Sequence, residues 1–147
     1  MLRSIVRTVA PVMPVVSLAE AKEHLRVTHD DEDLLIQSLI DAAVGYLDGL
    51  DGVLGRALAP QTYEAVFDAA DSYRLPLVPV VSSTVTEADG LATVEFVAGY
   101  PDGVPAPIKA AILLHIGSLY EHREQSAEKW NPTRAYEALL TPYRRWT

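Results

Sequence analysis

The sequence predicts a domain that is mainly α with a small β insertion, and three observations carry that reading. Apolar residues recur at helical spacing around 32–48 and again around 104–124. Between these stretches, at about 58–100, the pattern changes to short alternating runs bounded by turn residues. The chain has 147 residues, 49% of them hydrophobic, which suits one domain with a real core. The layout predicted is an N-terminal arm at 1–16, a helical domain at 17–125 holding a β-hairpin between its second and third helices, and a C-terminal tail with its own helix at 126–147.

The arm, MLRSIVRTVAPVMP, carries Arg3 and Arg7 beside a short apolar run. Arg7, Pro11 and Pro14 break that run and no small-residue cleavage site follows, so it does not read as a targeting segment. Ser17-Leu18-Ala19-Glu20 is a capping box that opens a short helix to about Arg26, with Leu18, Ala21 and Leu25 on one face. Asp30 or Asp31 is expected to cap the second helix, whose inward residues are read as Leu34, Leu35, Ser38, Leu39, Ala42 and Tyr46. Gly49, Gly52 and Gly55 end it in a loop.

Gln61 to Phe67 alternates as a strand. Pro76 and Pro79 hold their stretch extended and assign it to a sheet edge, because proline has no N–H for a ladder. Thr84-Val85-Thr86 and Thr93 to Val97 flank Asp89-Gly90, a hairpin turn signal. Pro105 and Pro107 open the central helix, where a missing N–H costs nothing. From Ile108 its face runs through Ala111, Ile112, His115, Ile116 and Leu119. A polar break around Pro132 precedes a short helix from about Arg134 to Leu140.

Net charge is −8, unevenly spread. Residues 17–52 hold nine acids and two bases, whereas 126–147 hold four bases and two acids. An acidic body with a basic end lacks the concentrated basic face of a nucleic-acid grip. There is no cysteine, which excludes disulfides and thiolate metal sites. His24 and His29 lie near Asp30, Asp31 and Asp33, but the spacing matches no EF-hand or His-pair motif, and a solvated acidic cluster is the better reading. His115 reads as a core histidine rather than a base. Gly99 to Gly103 lacks the lysine of a phosphate loop. No catalytic, cofactor-binding or metal-binding residue is assigned. Trp130, Tyr136, Tyr143 and Trp146 crowd into a tail too short to form its own core. They either fold back onto the domain or, with Arg144 and Arg145, anchor a partner.

The ordered set of motifs resembles the tailed-phage head–tail connector (adaptor) family. The matching stretches are SLAEAKEHLRV, DEDLLIQSLIDAAVGYLDG, LPLVPVVSSTV, VEFVAGYPDGVPAPIKAAILLHIGSLYEHRE and EALLTPYRR, spanning about 17–145. Between Phe67 and Phe96 the β region is shorter than is usual there. The resemblance implies a non-enzymatic structural protein without cofactor or metal: a homo-oligomeric ring, typically of twelve subunits, in the neck of a siphophage or gene transfer agent. Such a ring joins the portal protein to a stopper or other neck protein, and DNA passes through its lumen without sequence-specific binding. It implies assembly in the host cytoplasm and no membrane contact. On this reading Trp130, Tyr136, Tyr143, Arg144, Arg145 and Trp146 form the portal-docking set. The rival readings are a small metal-dependent hydrolase using His29 and Asp31, and a dimeric regulatory module.

Overall fold

The computed structural model describes residues 1–70, 72–122 and 131–145. In chain order it holds strand β1 (Leu2–Val9), helices α1 (Leu18–Leu25) and α2 (Asp33–Leu47), strands β2 (Gln61–Asp68), β3 (Val80–Ala88) and β4 (Leu91–Ala98), helix α3 (Ala106–Glu121) and helix α4 (Arg134–Leu140), which runs into a 3-10 turn at Thr141–Tyr143. The strands form one antiparallel sheet in the order β1-β2-β4-β3.

This corrects the expected fold class. Of the described residues 36% are helix and 26% strand, and the four-stranded sheet is half of the architecture rather than a small insertion. The N-terminal arm is where the reading fails. Leu2–Val9 pairs along β2 as an edge strand, with all but Ile5 exposed, so neither face shows the alternation that marks a half-buried strand. What favours a strand there is the β-branched run Ile5, Val6, Thr8 and Val9.

The hairpin forms as its turn signal predicts. Asp89 and Gly90 take φ of 54° and 76°, the two positive values a type I′ turn requires, and Ala88 pairs with Leu91. On β2 and β4 every second side chain is buried, giving a covered face of Tyr63, Ala65, Phe67, Val94 and Phe96. Leu77 and the half-buried Tyr73 and Leu75 from the segment before β3 help to cover it.

The helices build a second cluster. Ser17 opens α1 with both bonds of the capping box present, Glu20 N–H to Ser17 Oγ at 3.1 Å and Ser17 N–H to Glu20 Oε1 at 3.2 Å. On α3 the residues at 108, 111, 112, 115, 116 and 119 are buried, the face its spacing predicts. On α2 the inward face is different from the expected one. Ile36, Ile40, Ala43 and Leu47 are buried, Leu34 is 90% exposed, and Ser38, Ala42 and Tyr46 also face outward. Glu32, not Asp30 or Asp31, occupies the cap position. The misreading has a physical cause: Asp33, Gln37 and Asp41 form a polar stripe so narrow that two apolar faces compete.

The two clusters meet where residues 48–61 cross from α2 to β2. Asp48 accepts from the Leu58 N–H at 2.7 Å and from Gln61 Nε2 at 3.1 Å, and the Tyr63 hydroxyl donates to Gln61 Oε1 at 2.6 Å. Gly99 closes the other side with φ of 133°; a Cβ there would lie 2.6 Å from the Ala59 backbone.

Candidate docking surfaces

Of the six residues expected to dock on a partner, four lie among those described. Thr133 caps α4 by accepting the Tyr136 N–H at 3.2 Å. That helix turns Tyr136 inward, 1% exposed, with Leu140 beside it in the helical cluster. The Tyr136 ring stands edge-on to His115 at 5.7 Å, and Tyr46 of α2 meets the same imidazole edge-on at 5.7 Å. One buried histidine therefore joins α2, α3 and α4. Its burial lowers its pKa to about 4, so it is neutral at pH 7, and burial raises that of Tyr136.

Tyr143, Arg144 and Arg145 run along the loop at 54–56 and are each half-buried. Arg56 donates through Nε to the Tyr143 carbonyl at 2.6 Å and lies 5.9 Å from the centre of its ring. Arg144 pairs with Glu137 at 2.6 Å, and the Arg145 N–H donates to the Leu54 carbonyl at 3.1 Å. Trp130 and Trp146 lie outside the described residues. The structure thus brings Tyr143, Arg144 and Arg145 into one strip, with Tyr136 beneath it. Arg56, which holds that strip, sits in a glycine-punctuated loop that no motif marks.

The acidic cluster at the start of α2 is not arranged for a metal. Lys22 reaches Asp30 and Asp33, each at 2.7 Å, and His29 Nδ1 is 3.7 Å from Asp31. The Asp30 bond, then the Asp33 bond, raises the Lys22 pKa, and Lys22 in turn lowers that of Asp30. Among the described residues no three histidine or acidic side chains converge as a metal site would require.

Three further surfaces remain open. The outward stripe of α2 carries Leu34, Ser38 and Ala42, with Tyr46 at its edge turned against His115, followed by the exposed Leu50 and Val53. A groove of about 470 Å³ runs between α2 and the segment after β1, lined by Pro11, Met13, Ile40 and Val44 with Arg7 and Asp48 at one end. Burial pushes the Asp48 carboxyl up, against the bonds from Leu58 and Gln61 that favour its charged form. Strand β3 is exposed along its whole length, with Val80, Val81 and Val85 at 40%, 49% and 46%. On the uncovered sheet face, Glu64 and Glu95 stand directly opposite each other across β2 and β4. Among the described residues no helix is long and apolar enough to cross a membrane.

The family model for phage gp6-like head–tail connector proteins matches residues 15–144. Three solved structures share the fold, each at 18% identity and covering 99% of this chain and 97% of the other. They are the virion of a native gene transfer agent (GTA) particle, with a TM-score of 0.75, the neck of an empty GTA particle computed with C6 symmetry, at 0.77, and the neck of a native GTA particle computed with C12 symmetry, at 0.74. At that identity the likeness is one of fold. No curated protein matches the sequence.

Proposed function

The chain belongs to the phage gp6-like head–tail connector family, and from that premise we infer that it is a structural adaptor in the neck of a phage or phage-like particle. The observation that carries the reading is the family match over nearly the whole chain, 15–144. The adaptor is read as a closed ring of copies of this chain, seated between the portal and the next neck protein. Twelve copies is the number favoured, by analogy with the neck described in C12 symmetry. A closed ring needs two different surfaces on each copy. The open α2 stripe and the open sheet edges are candidates for them.

The portal contact is assigned to the strip Tyr143-Arg144-Arg145, with Trp130 and Trp146 on either side of it in sequence. Arginine forks suit a carboxylate-bearing partner, and tyrosine and tryptophan supply contact area. Tyr136 supports this strip from below rather than touching the partner. The net charge of −8 favours a lumen that repels phosphate, so that DNA slides through without sticking. The role is mechanical, and no step of bond chemistry is assigned to it.

Particles assembled without this chain test the reading. They are expected to fill their heads but lack tails, and a labelled copy added back should appear as a ring at the neck in electron micrographs. Tailed particles without the chain, or label elsewhere than at the neck, would overturn the reading. Tyr143→Ala with Arg145→Glu should leave the fold intact and abolish co-purification with portal; retained binding would move the portal contact elsewhere.

A further inference from the structure

The sheet has two free edges of unlike character. Strand β1 is bulged at both ends, between Leu2 and Ser4 and between Arg7 and Val9. It carries Arg3 and Arg7 and no acid. Strand β3 runs regularly from Ser82 to Ala88, and from Val80 to Thr86 it has neither charge nor proline. The acids of its hairpin are Glu87, Asp89 and Glu95, with no base among them. Charges, prolines and bulges are the usual guards of a free edge. From Ser82 to Thr86 β3 has none of them, and its valines face water.

We propose that β3 is completed by β1 of the next copy of this chain, so that the four-stranded sheets join edge to edge around the ring. This rests on the ring reading above and names the surfaces that close it. Strand direction supports the match. Four antiparallel strands in the order β1-β2-β4-β3 leave β1 and β3 pointing in opposite senses. A copy related by rotation about an axis along the strands therefore presents its β1 antiparallel to this β3. The covered faces of the two sheets also stay on the same side.

Face parity then selects the register, because a slip of one residue turns every side chain over. Ile5 shares the covered face with Ala65, and Val85 shares it with Val94; Val6 and Thr84 share the open face with Glu64 and Glu95. The register that pairs all of β1 and keeps these faces together sets Ser4 against Thr86, Ile5 against Val85, Val6 against Thr84 and Arg7 against Ser83. It also brings Arg3 of one copy beside Glu87 of the other. Glu87 has one oxygen bonded to the Tyr73 hydroxyl at 2.8 Å, and Arg3, with a side chain 60% exposed, reaches its own Asp68 at 2.8 Å. Both retain free polar atoms for a partner.

The chain has no cysteine, so engineered thiols report cleanly. Within one copy β1 and β3 are separated by two strands, about 14 Å at the usual strand spacing, too far for a disulfide. Neck rings are recovered from particles assembled with Ile5→Cys plus Val85→Cys and treated with an oxidant or a short thiol-bridging reagent. The expected result is a ladder of covalent oligomers of this chain on a denaturing gel. Ile5→Cys plus Thr84→Cys, on opposite faces, should stay largely monomeric on the gel. Thr84→Lys should keep the circular dichroism of the folded chain and stop ring formation. Rings without the ladder, equal linking of the off-face pair, linking to a different protein, or normal rings from Thr84→Lys would each overturn the edge-to-edge inference while leaving the ring reading intact. Absence of rings from the unaltered chain would overturn both.

Discussion

In the helical half of the molecule, α2, α3 and α4 turn Ile36, Ile40, Ile112, Ile116, Tyr136 and Leu140 into one core, with none of these more than 3% exposed. In the sheet half only β2 and β4 have a covered face, while every residue of β3 and all but one of β1 face solvent. The helices are stabilised by burial that this chain supplies to itself. The sheet edges have backbone donors and acceptors still to be satisfied by water or by a neighbour. Stability and assembly are therefore separable properties: mutations in one half should change melting, and mutations at the edges of the other should change association.

The largest effect is expected at Tyr136. Its replacement by alanine empties a fully enclosed aromatic site and should cost about 3–5 kcal/mol, read from denaturant unfolding. Ile112→Ala should cost roughly 2–5 kcal/mol by the same mechanism. Truncation after Asn131 removes Tyr136 and Leu140 together, so it should weaken the helical core as well as any docking. A Tyr136→Ala chain that unfolds at the same denaturant concentration as the parent would dissolve the distinction between the halves.

His115 sharpens it through pH. Unfolded, it takes up a proton below about 6.5; folded, burial lowers its pKa to about 4. Between those values the unfolded chain binds more protons, so stability falls as pH falls. The Glu20 and Asp30 carboxylates, whose pKa values are lowered by Lys109 and Lys22 respectively, contribute a further loss below about 4.5. Melting temperature should therefore drop between about pH 6.5 and 4.5, offset in part by Asp48, whose buried carboxyl is pushed up and so favours the folded chain as pH falls. In His115→Leu the drop should be lost. An unchanged slope in that variant would place the titrating group elsewhere.

Effects on the sheet should be small. Glu64 and Glu95 are directly opposed like charges, and such pairs destabilise by some tenths of a kcal/mol. Glu95→Gln should raise stability by about 0.2–1 kcal/mol, less at high salt. At the exposed edge, Val85→Ala should shift the stability of the free chain by no more than about 0.5 kcal/mol. A larger loss would mean that β3 is packed within the single copy after all.

The same contrast explains what the sequence makes legible. Helix α3 announces itself because Pro105 and Pro107 fix its start and its buried residues follow one stripe. Helix α4 is legible in extent but not in attachment. Nothing in the tail says that Tyr136 packs against an imidazole that 20 intervening residues separate from it. Helix α2 is legible as a helix but not in orientation, since Leu34 and Ile36 are equally apolar and only tertiary packing chooses between them. Strand β1 is hidden because an edge strand exposed on both faces has no period, whereas β3 is found through Asp89-Gly90 rather than through its own residues. The strip proposed for docking is partly legible: Tyr143 and Arg145 stand out by type, but Arg56, which holds them, has no sequence mark.

The Asp48 junction has a consequence for geometry. The tilt of the sheet against the helices is held there by directional bonds, from Leu58 and Gln61 to one carboxylate and from Tyr63 to Gln61. Apolar contact alone tolerates sliding, but a hydrogen bond weakens steeply as its angle opens. Any angular error between the two halves of one copy is repeated by every copy around a ring, and the last gap collects the sum. In the proposed ring, Asp48 and Gln61 would thus set an angular tolerance: by holding each copy to the same bend, they would let identical chains meet end to end in a circle of fixed size rather than drift into a spiral.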